Sequence, residues 1–189
     1  LIQIVVLALF RSGSKSGPRF LDGITKGIVM DKQESKLKEL LGDIVQVGIV
    51  VDDMDKVKRG MKTIFGLEPS TESDNVYKKT WYKGDLIDAP VKAAFYNQFN
   101  VQLEFLQPVG DTDTIWHDYL NEGYDLGGHS LHHLRFDVVD NDVITKEMEK
   151  IGVSKYMEGK SLVDPRATFT YYDSVQAIGF IVEVVTKFE

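Results

Sequence analysis

The chain repeats itself once. Gln46-Val-Gly-Ile-Val-Val-Asp-Asp-Met-Asp55 aligns with His133-Leu-Arg-Phe-Asp-Val-Val-Asp-Asn-Asp142 after a shift of 87 residues (133 − 46). Asp53 falls on Asp140, Asp55 on Asp142, Val57 on Ile144, Met61 on Met148 and Ile64 on Ile151. Each copy ends in an apolar strand holding one glutamate: Val101-Gln-Leu-Glu104-Phe-Leu and Gly179-Phe-Ile-Val-Glu183-Val-Val. Two copies are too few for a solenoid. Units this small usually need each other to bury enough apolar surface, so the duplication predicts two modules with a single merged core.

The amino-acid content narrows the chemistry. Cysteine is absent from the 189 residues, which removes disulfides, thiolate metal sites and cysteine nucleophiles. A metal site must then use imidazole, carboxylate and amide groups. With only four histidines it must be rich in oxygen. The net charge of -7 argues against nucleic-acid partners, which call for a basic face.

Residues 1–29 differ from the rest, with Arg11, Lys15, Arg19 and Lys26 against Asp22 alone. Leu1 to Phe10 is apolar but too short for a bilayer, which takes about 20 residues. We read 1–29 as an extension outside the core, ahead of Met30. A truncated export or anchor segment, or one more packed element, are the other readings. The domain then covers 30–189, with modules at about 43–108 and 130–187 joined by a linker helix within 109–129.

Each module reads as βαβββ. In the first, Glu34 to Leu41 is a short helical lead-in ending at Gly42, a plausible C-cap. Ile44–Val51 is a β-branched strand. Asp53 caps a helix from about Met54 to Phe65, with Val57, Met61, Ile64 and Phe65 on its buried face and Gly66 ending it. Strands follow near Val76–Tyr82, Val91–Tyr96 and Val101–Gln107, the last two joined by a turn at Asn97–Asn100. A linker helix over Thr112–Asn121 offers Ile115, Trp116, Tyr119 and Leu120 as its apolar side. After the loop Gly123-Tyr-Asp-Leu-Gly-Gly128 the order recurs: strand Leu131–Val138, helix Asp142–Ile151, then strands near Val153–Met157, Thr168–Tyr172 and Phe180–Val185.

Side chains alternate across a strand. Val45, Val47, Ile49 and Val51 make an apolar face, which turns Gln46 and Gly48 the other way. Leu134, Phe136 and Val138 do the same for His133, Arg135 and Asp137. Glu104 and Glu183 each face away from their apolar neighbours. If the sheets curl, four polar groups line one concave cleft, and a cation would offset the cost of burying the carboxylates. By the same alternation His132 points to the opposite face and is structural. One nitrogen with three oxygens suits Zn, Co, Ni or Mn.

These segments resemble the vicinal oxygen chelate pattern, as in glyoxalase I and methylmalonyl-CoA epimerase. The resemblance covers about residues 43–187. It rests on the Gln46 segment, Phe65-Gly-Leu, Leu103-Glu-Phe-Leu-Gln-Pro108, Leu131-His-His-Leu-Arg-Phe-Asp-Val and Gly179-Phe-Ile-Val-Glu183. It implies an α+β fold in which two βαβββ modules form one metal-binding cleft. The family's ligands carry over to Gln46, Glu104, His133 and Glu183, with a divalent metal as cofactor. The activity implied is a metal-dependent isomerase or lyase that abstracts a proton next to a metal-bound carbonyl, with Glu183 or Glu104 as base. The substrate is a small molecule, an acyl-CoA or a thiol adduct. Arg135 and Arg166 are candidates to hold its anionic groups, and His129 to reach the cleft mouth. A second glutamate used by epimerases falls near Lys92, where this chain has none. The resemblance implies a cytoplasmic protein without membrane partners, with homodimerisation open. The alternative is a non-catalytic binding or resistance protein of the same fold.

Overall fold

In the computed structural model, residues 36–121 and 129–188 are described. The expected extension at 1–29, Met30 and the loop at 123–128 lie outside them, as does the His129 side chain. The elements run α1 (Leu37–Leu40), β1 (Ile44–Val51), α2 (Met54–Phe65), β2 (Thr71–Tyr82), β3 (Asp85–Tyr96), β4 (Gln102–Pro108) and α3 (Ile115–Asn121). They continue with β5 (His129–Val138), α4 (Asn141–Lys150), β6 (Lys155–Lys160), β7 (Thr168–Tyr172), α5 (Val175–Ile178) and β8 (Ile181–Thr186). This is the α+β, twice-βαβββ order expected from the repeat.

The strands close into a barrel in the order β1-β4-β3-β2-β6-β7-β8-β5. Each module supplies four neighbouring strands, with one parallel pair, β1–β4 and β5–β8. The modules meet along antiparallel β1–β5, and again where Trp81 and Tyr82 of β2 face Glu158 and Met157 of β6. Closure removes the open sheet edges.

The repeat is physical. Asp53 caps α2 by accepting from the Lys56 amide, and its counterpart Asp140 caps α4 by accepting from Asp142 and Val143. These bonds satisfy amides that the first helical turn leaves unpaired. Gly66 ends α2 in the left-handed region at φ 69, where a side chain would be strained. Val57 and Met61 bury on one side of the barrel, and their counterparts Ile144 and Met148 on the other.

The expected merged core is present as one inner cluster shared by both modules, with two further clusters outside the barrel under α2 and α4. Met54, Val57 and Met61 of α2 pack on outward residues Val51, Ala94, Tyr96 and Phe105. Ile144 and Met148 of α4 pack with Leu37 on Val138, Tyr172, Val182 and Val184. The inward residues, among them Val50, Leu106, Phe169, Tyr171 and Ile181, join Ile115, Trp116 and Tyr119 of α3. Strands buried on both faces need a core on each side, so one cluster cannot serve them all.

Some local expectations fail for identifiable reasons. Ile64 and Phe65 are exposed. The buried stripe of α2 ends at Met61, and Phe65 meets Phe99 of the β3–β4 turn edge-on at 5.7 Å. Gly42 does not cap α1, which is closed by Leu41 in an extended conformation; the expected start at Glu34 lies outside the described residues. β2 begins at Thr71 and β3 at Asp85, around a tight turn at Lys83 and Gly84, both with positive φ. The polar run Thr71–Asn75 hides a strand that is held by pairing with β3.

Candidate metal centre

Strand register brings the four polar residues together. Gly48 of β1 pairs with Glu104 of β4, and Arg135 of β5 pairs with Glu183 of β8. In each module the glutamate therefore lies opposite the residue two places beyond Gln46 or His133. Across the β1–β5 seam, Gln46 faces Arg135 and Gly48 faces His133. An approximate two-fold relation thus passes between β1 and β5 and turns one half of the site into the other.

All four side chains are buried and converge on one atom. His133 Nε2 lies 3.0 Å from Glu183 Oε2, 3.2 Å from Glu104 Oε2 and 3.3 Å from Gln46 Oε1. The Gln46 amide nitrogen donates to Gln102 Oε1, which turns its carbonyl oxygen toward His133. Gln102 donates in turn to Asn97 Oδ1 at 2.7 Å.

These residues fit a divalent metal. Ligands bound at about 2.1 Å stand about 3.0 Å apart on an octahedron and about 3.4 Å apart on a tetrahedron, which brackets the separations found here. Glu104 and Glu183 are both buried and share His133 Nε2 between them, and burying two carboxylates together is a cost that a cation relieves. Glu104, His133 and Glu183 are the group of acidic and imidazole residues, among the described residues, close enough to share one ion. One imidazole, one amide oxygen and two carboxylates form a donor set that could hold a divalent metal.

Electrostatics say the same. Burial alone would lower the His133 pKa, but Glu183 and Glu104 outweigh it and lift the imidazole to about 9. Glu104 is pushed up by burial, with His133 opposing. Two carboxylates buried together retain a positive charge, and without metal a proton on His133 supplies it.

The centre opens into a cavity of about 590 Å³. Tyr77, Phe95, Phe169 and Tyr171 supply aromatic surface, and Thr71, Ser73 and Asn75 of β2 a neutral polar wall. Arg135 lines the cavity beside Glu183, with Nε and Nη2 both donating to Asp137 Oδ1, at 3.1 and 2.8 Å. Arg166 stands behind two residues that line the cavity, Asp164 and Phe188. Its exposed guanidinium grips Asp164 through Nε and Nη2 and stacks on Phe188, and it does not line the cavity. Lys92 lies elsewhere, in a surface recess with Asp74 and Gln107.

Sequence reading missed two contributors. Gly48 leaves space for the His133 ring; a lone glycine within a β-branched strand was the available signal of close approach. Strand alternation places His132 on the opposite face, yet it is buried with its ring against His133 and Tyr171. Burial lowers its pKa well below the usual imidazole value, with His133 adding to the shift, so His132 is neutral.

Residues 45–171 match the glyoxalase/bleomycin resistance protein/dioxygenase superfamily. Among solved structures, the chain is similar to methylmalonyl-CoA epimerase from Streptomyces coelicolor in complex with 2-nitronate-propionyl-CoA. The TM-score is 0.56 at 18% identity, over 78% of this chain and 95% of that one. The epimerase from Mycobacterium tuberculosis gives 0.54 at 17% identity, over 79% and 91%. A hypothetical protein from Bacillus halodurans C-125 gives 0.57 at 18% identity, over 78% and 95%. No curated protein sequence matches the chain. Among the described residues no helix is long and apolar enough to cross a membrane.

Proposed function

Since the chain belongs to the glyoxalase/bleomycin resistance protein/dioxygenase superfamily, we propose that it is a divalent-metal-dependent isomerase or lyase moving a proton at the carbon next to a substrate carbonyl. The observation that carries this reading is the convergence of Gln46, Glu104 and Glu183 on His133 Nε2, at the floor of a cavity. Gln46, Glu104, His133 and Glu183 would hold the metal. When bound, it supplies Lewis-acid polarisation of the carbonyl, which acidifies the neighbouring C–H.

The chain's own groups do the rest. Glu183 accepts the proton and returns it, with Glu104 as the other candidate for this role. Tyr77 and Tyr171 line the cavity and restrict water near the carboxylates. Arg135, fixed by Asp137, sits where it can hold an anionic group of the substrate. Both candidate bases stand on the β4–β1–β5–β8 side of the barrel. The facing wall from β2 offers Thr71, Ser73, Asn75 and Tyr77, none of them a carboxylate. One such base that takes the proton from one carbon and returns it to the adjacent carbon makes a lyase or isomerase of the glyoxalase I kind.

Charge points to a compact thiol adduct rather than an acyl-CoA. The cavity is lined by Arg135 and Lys187 against Glu104, Asp137, Asp164 and Glu183. Arg135 and Lys187 both lie near Asp137, at 2.8 and 3.9 Å. The phosphates of a coenzyme A call for more positive charge than this. The likeness to the epimerase fold favours the second reading, an epimerase-like activity on an acyl-CoA. A cytoplasmic location accompanies either reading.

The test is exchange of the substrate's α-proton with solvent deuterium in metal-loaded protein, across thiol hemithioacetals and acyl-CoAs. We expect exchange with the former and a loss of about 100-fold or more in Glu183→Gln. Exchange confined to acyl-CoAs selects the epimerase-like reading. No exchange with either class, together with tight binding of a bulky ligand, selects a non-catalytic binding protein.

A further inference from the structure

β5 carries an insertion at the metal centre. Gly48 of β1 faces His133 while Ile49 faces Leu131, so His132 is an extra residue opposite the Gly48–Ile49 step. A bulge of this kind breaks the strict alternation of side chains and re-aims one of them. Here it brings the His132 ring inside the barrel, directly behind His133. The ring meets Tyr119 of α3 edge-on at 4.5 Å, His133 at 5.1 Å and Tyr171 of β7 at 5.2 Å.

The contact between the two imidazoles is specific. His132 Nδ1 lies 2.8 Å from His133 Nδ1, and His132 Nε2 is buried with no hydrogen-bond partner among the described residues. Two facing nitrogens at this separation share one proton, so one ring donates and the other accepts. His133 must present the lone pair of Nε2 to a metal, which leaves its proton on Nδ1. His132 Nδ1 is then the acceptor, and the His132 proton sits on Nε2. Packing alone gives no reason to bury an imidazole with one nitrogen unsatisfied, since that costs free energy. Support of the ligand does.

We propose that His132 is a positioning residue of the metal centre, fixing the tautomer and orientation in which His133 Nε2 meets a divalent cation. It also ties that ligand to α3, the helix between the modules, through its contact with Tyr119. The proposal rests on the metal-dependent reading above. Ligating histidines generally pass their second N–H to an outer partner whose loss weakens metal binding. In this chain the partner is the preceding residue, delivered by a bulge.

Two variants test it by Zn²⁺ titration against a competing chelator. His132→Asn keeps an acceptor near the Nδ1 position, and His132→Phe keeps a ring without one. We expect affinity to fall by about 10–100-fold in the Phe variant and to stay within about 3-fold of wild type in the Asn variant. Equal affinities in all three proteins overturn the proposal, as does equal loss in both variants. Should the Phe variant not fold, nitrogen-15 NMR of Zn-loaded wild type decides. A proton on His132 Nε2 and another on His133 Nδ1 supports the assignment, and a proton on His132 Nδ1 overturns it. Wild type that binds Zn²⁺ with the expected variant pattern but exchanges no substrate proton would reject the proposed activity and leave this role standing. Wild type that binds no divalent metal would reject both.

Discussion

The imidazole of His133 occupies the space where a side chain on Gly48 would begin. A Cβ at position 48 would fall 1.9 Å from His133 Cε1 and 2.4 Å from Nε2. The two residues are cross-strand partners, so the ring cannot move aside without leaving the site. Glycine ordinarily weakens a strand interior. Here the missing Cβ is what lets the ring lie over β1 and reach Glu104 and Glu183.

Gly48→Ala should therefore abolish tight metal binding while leaving the barrel folded. Alanine suits a strand at least as well as glycine, so the damage falls on the displaced ring. We expect affinity to drop on the order of 100-fold, the upper end for loss of a ligand's support. Elemental analysis of the purified variant, with circular dichroism to verify the fold, checks this. Full metal content would refute the contact.

Metal should stabilise the fold. A ligand at about 100 times its dissociation constant adds about 2.7 kcal/mol, and about 1 kcal/mol moves Tm by roughly 2–4 °C in a domain of this size. A rise of roughly 5–11 °C is expected for wild type in differential scanning calorimetry, and little rise for His133→Ala. An equal rise in both would place the metal elsewhere.

Metal affinity should climb with pH. The folded-state pKa of His133, about 9, lies above its ordinary 6.5. In metal-free protein the charged imidazole therefore adds stability that is fully present below about pH 6.5 and lost as pH rises through about 9. The same proton must leave before Nε2 can bind a metal. Affinity should rise about tenfold per pH unit between about 7 and 9 and then level off, since one proton is displaced. Calorimetry in buffers of different ionisation enthalpy counts that proton. Release of none at pH 7.5 would contradict the assignment.

Asp118 locks the barrel seam opposite β1–β5. Its Oδ2 accepts from Tyr82 of β2, from Tyr156 of β6 at 2.8 Å and from Lys83 at 2.6 Å. Burial pushes its carboxyl up, but Lys83, Tyr82 and Tyr156 outweigh this and hold it below the usual range. Its contribution is thus present above the ordinary carboxylate pKa and lost as pH falls through the depressed value. Lys83 is half exposed, so solvent discounts its share. Asp118→Asn should cost about 2 kcal/mol, mostly through the two tyrosines. Urea denaturation at pH 7 measures this, and a change within about 0.5 kcal/mol would mean the seam holds without it.

Local rules carried much of the way to the site. The alternation around Glu104, Glu183, Gln46 and His133 needs only the two-residue period of a strand, and it turned all four inward. Asp53 and Asp140 needed only the geometry of a first helical turn. The repeat then supplied the pairing of modules, because equivalent strands of a duplicated unit meet about a common axis.

Tertiary structure decided what depends on a partner strand or a neighbouring surface. His132 defied its parity because a bulge is defined by the register against Gly48 and Ile49, and one inserted residue reverses every later alternation. β2 formed from a polar run because β3 completes its hydrogen bonds. Ile64 kept the helical period yet stayed exposed, since period says which face a residue shares and not how far the facing surface extends. Arg166 carried the right chemistry but pairs with Asp164 at its own loop. Side-chain direction follows from the chain's own geometry, whereas contact requires a second segment whose place only the closed barrel sets.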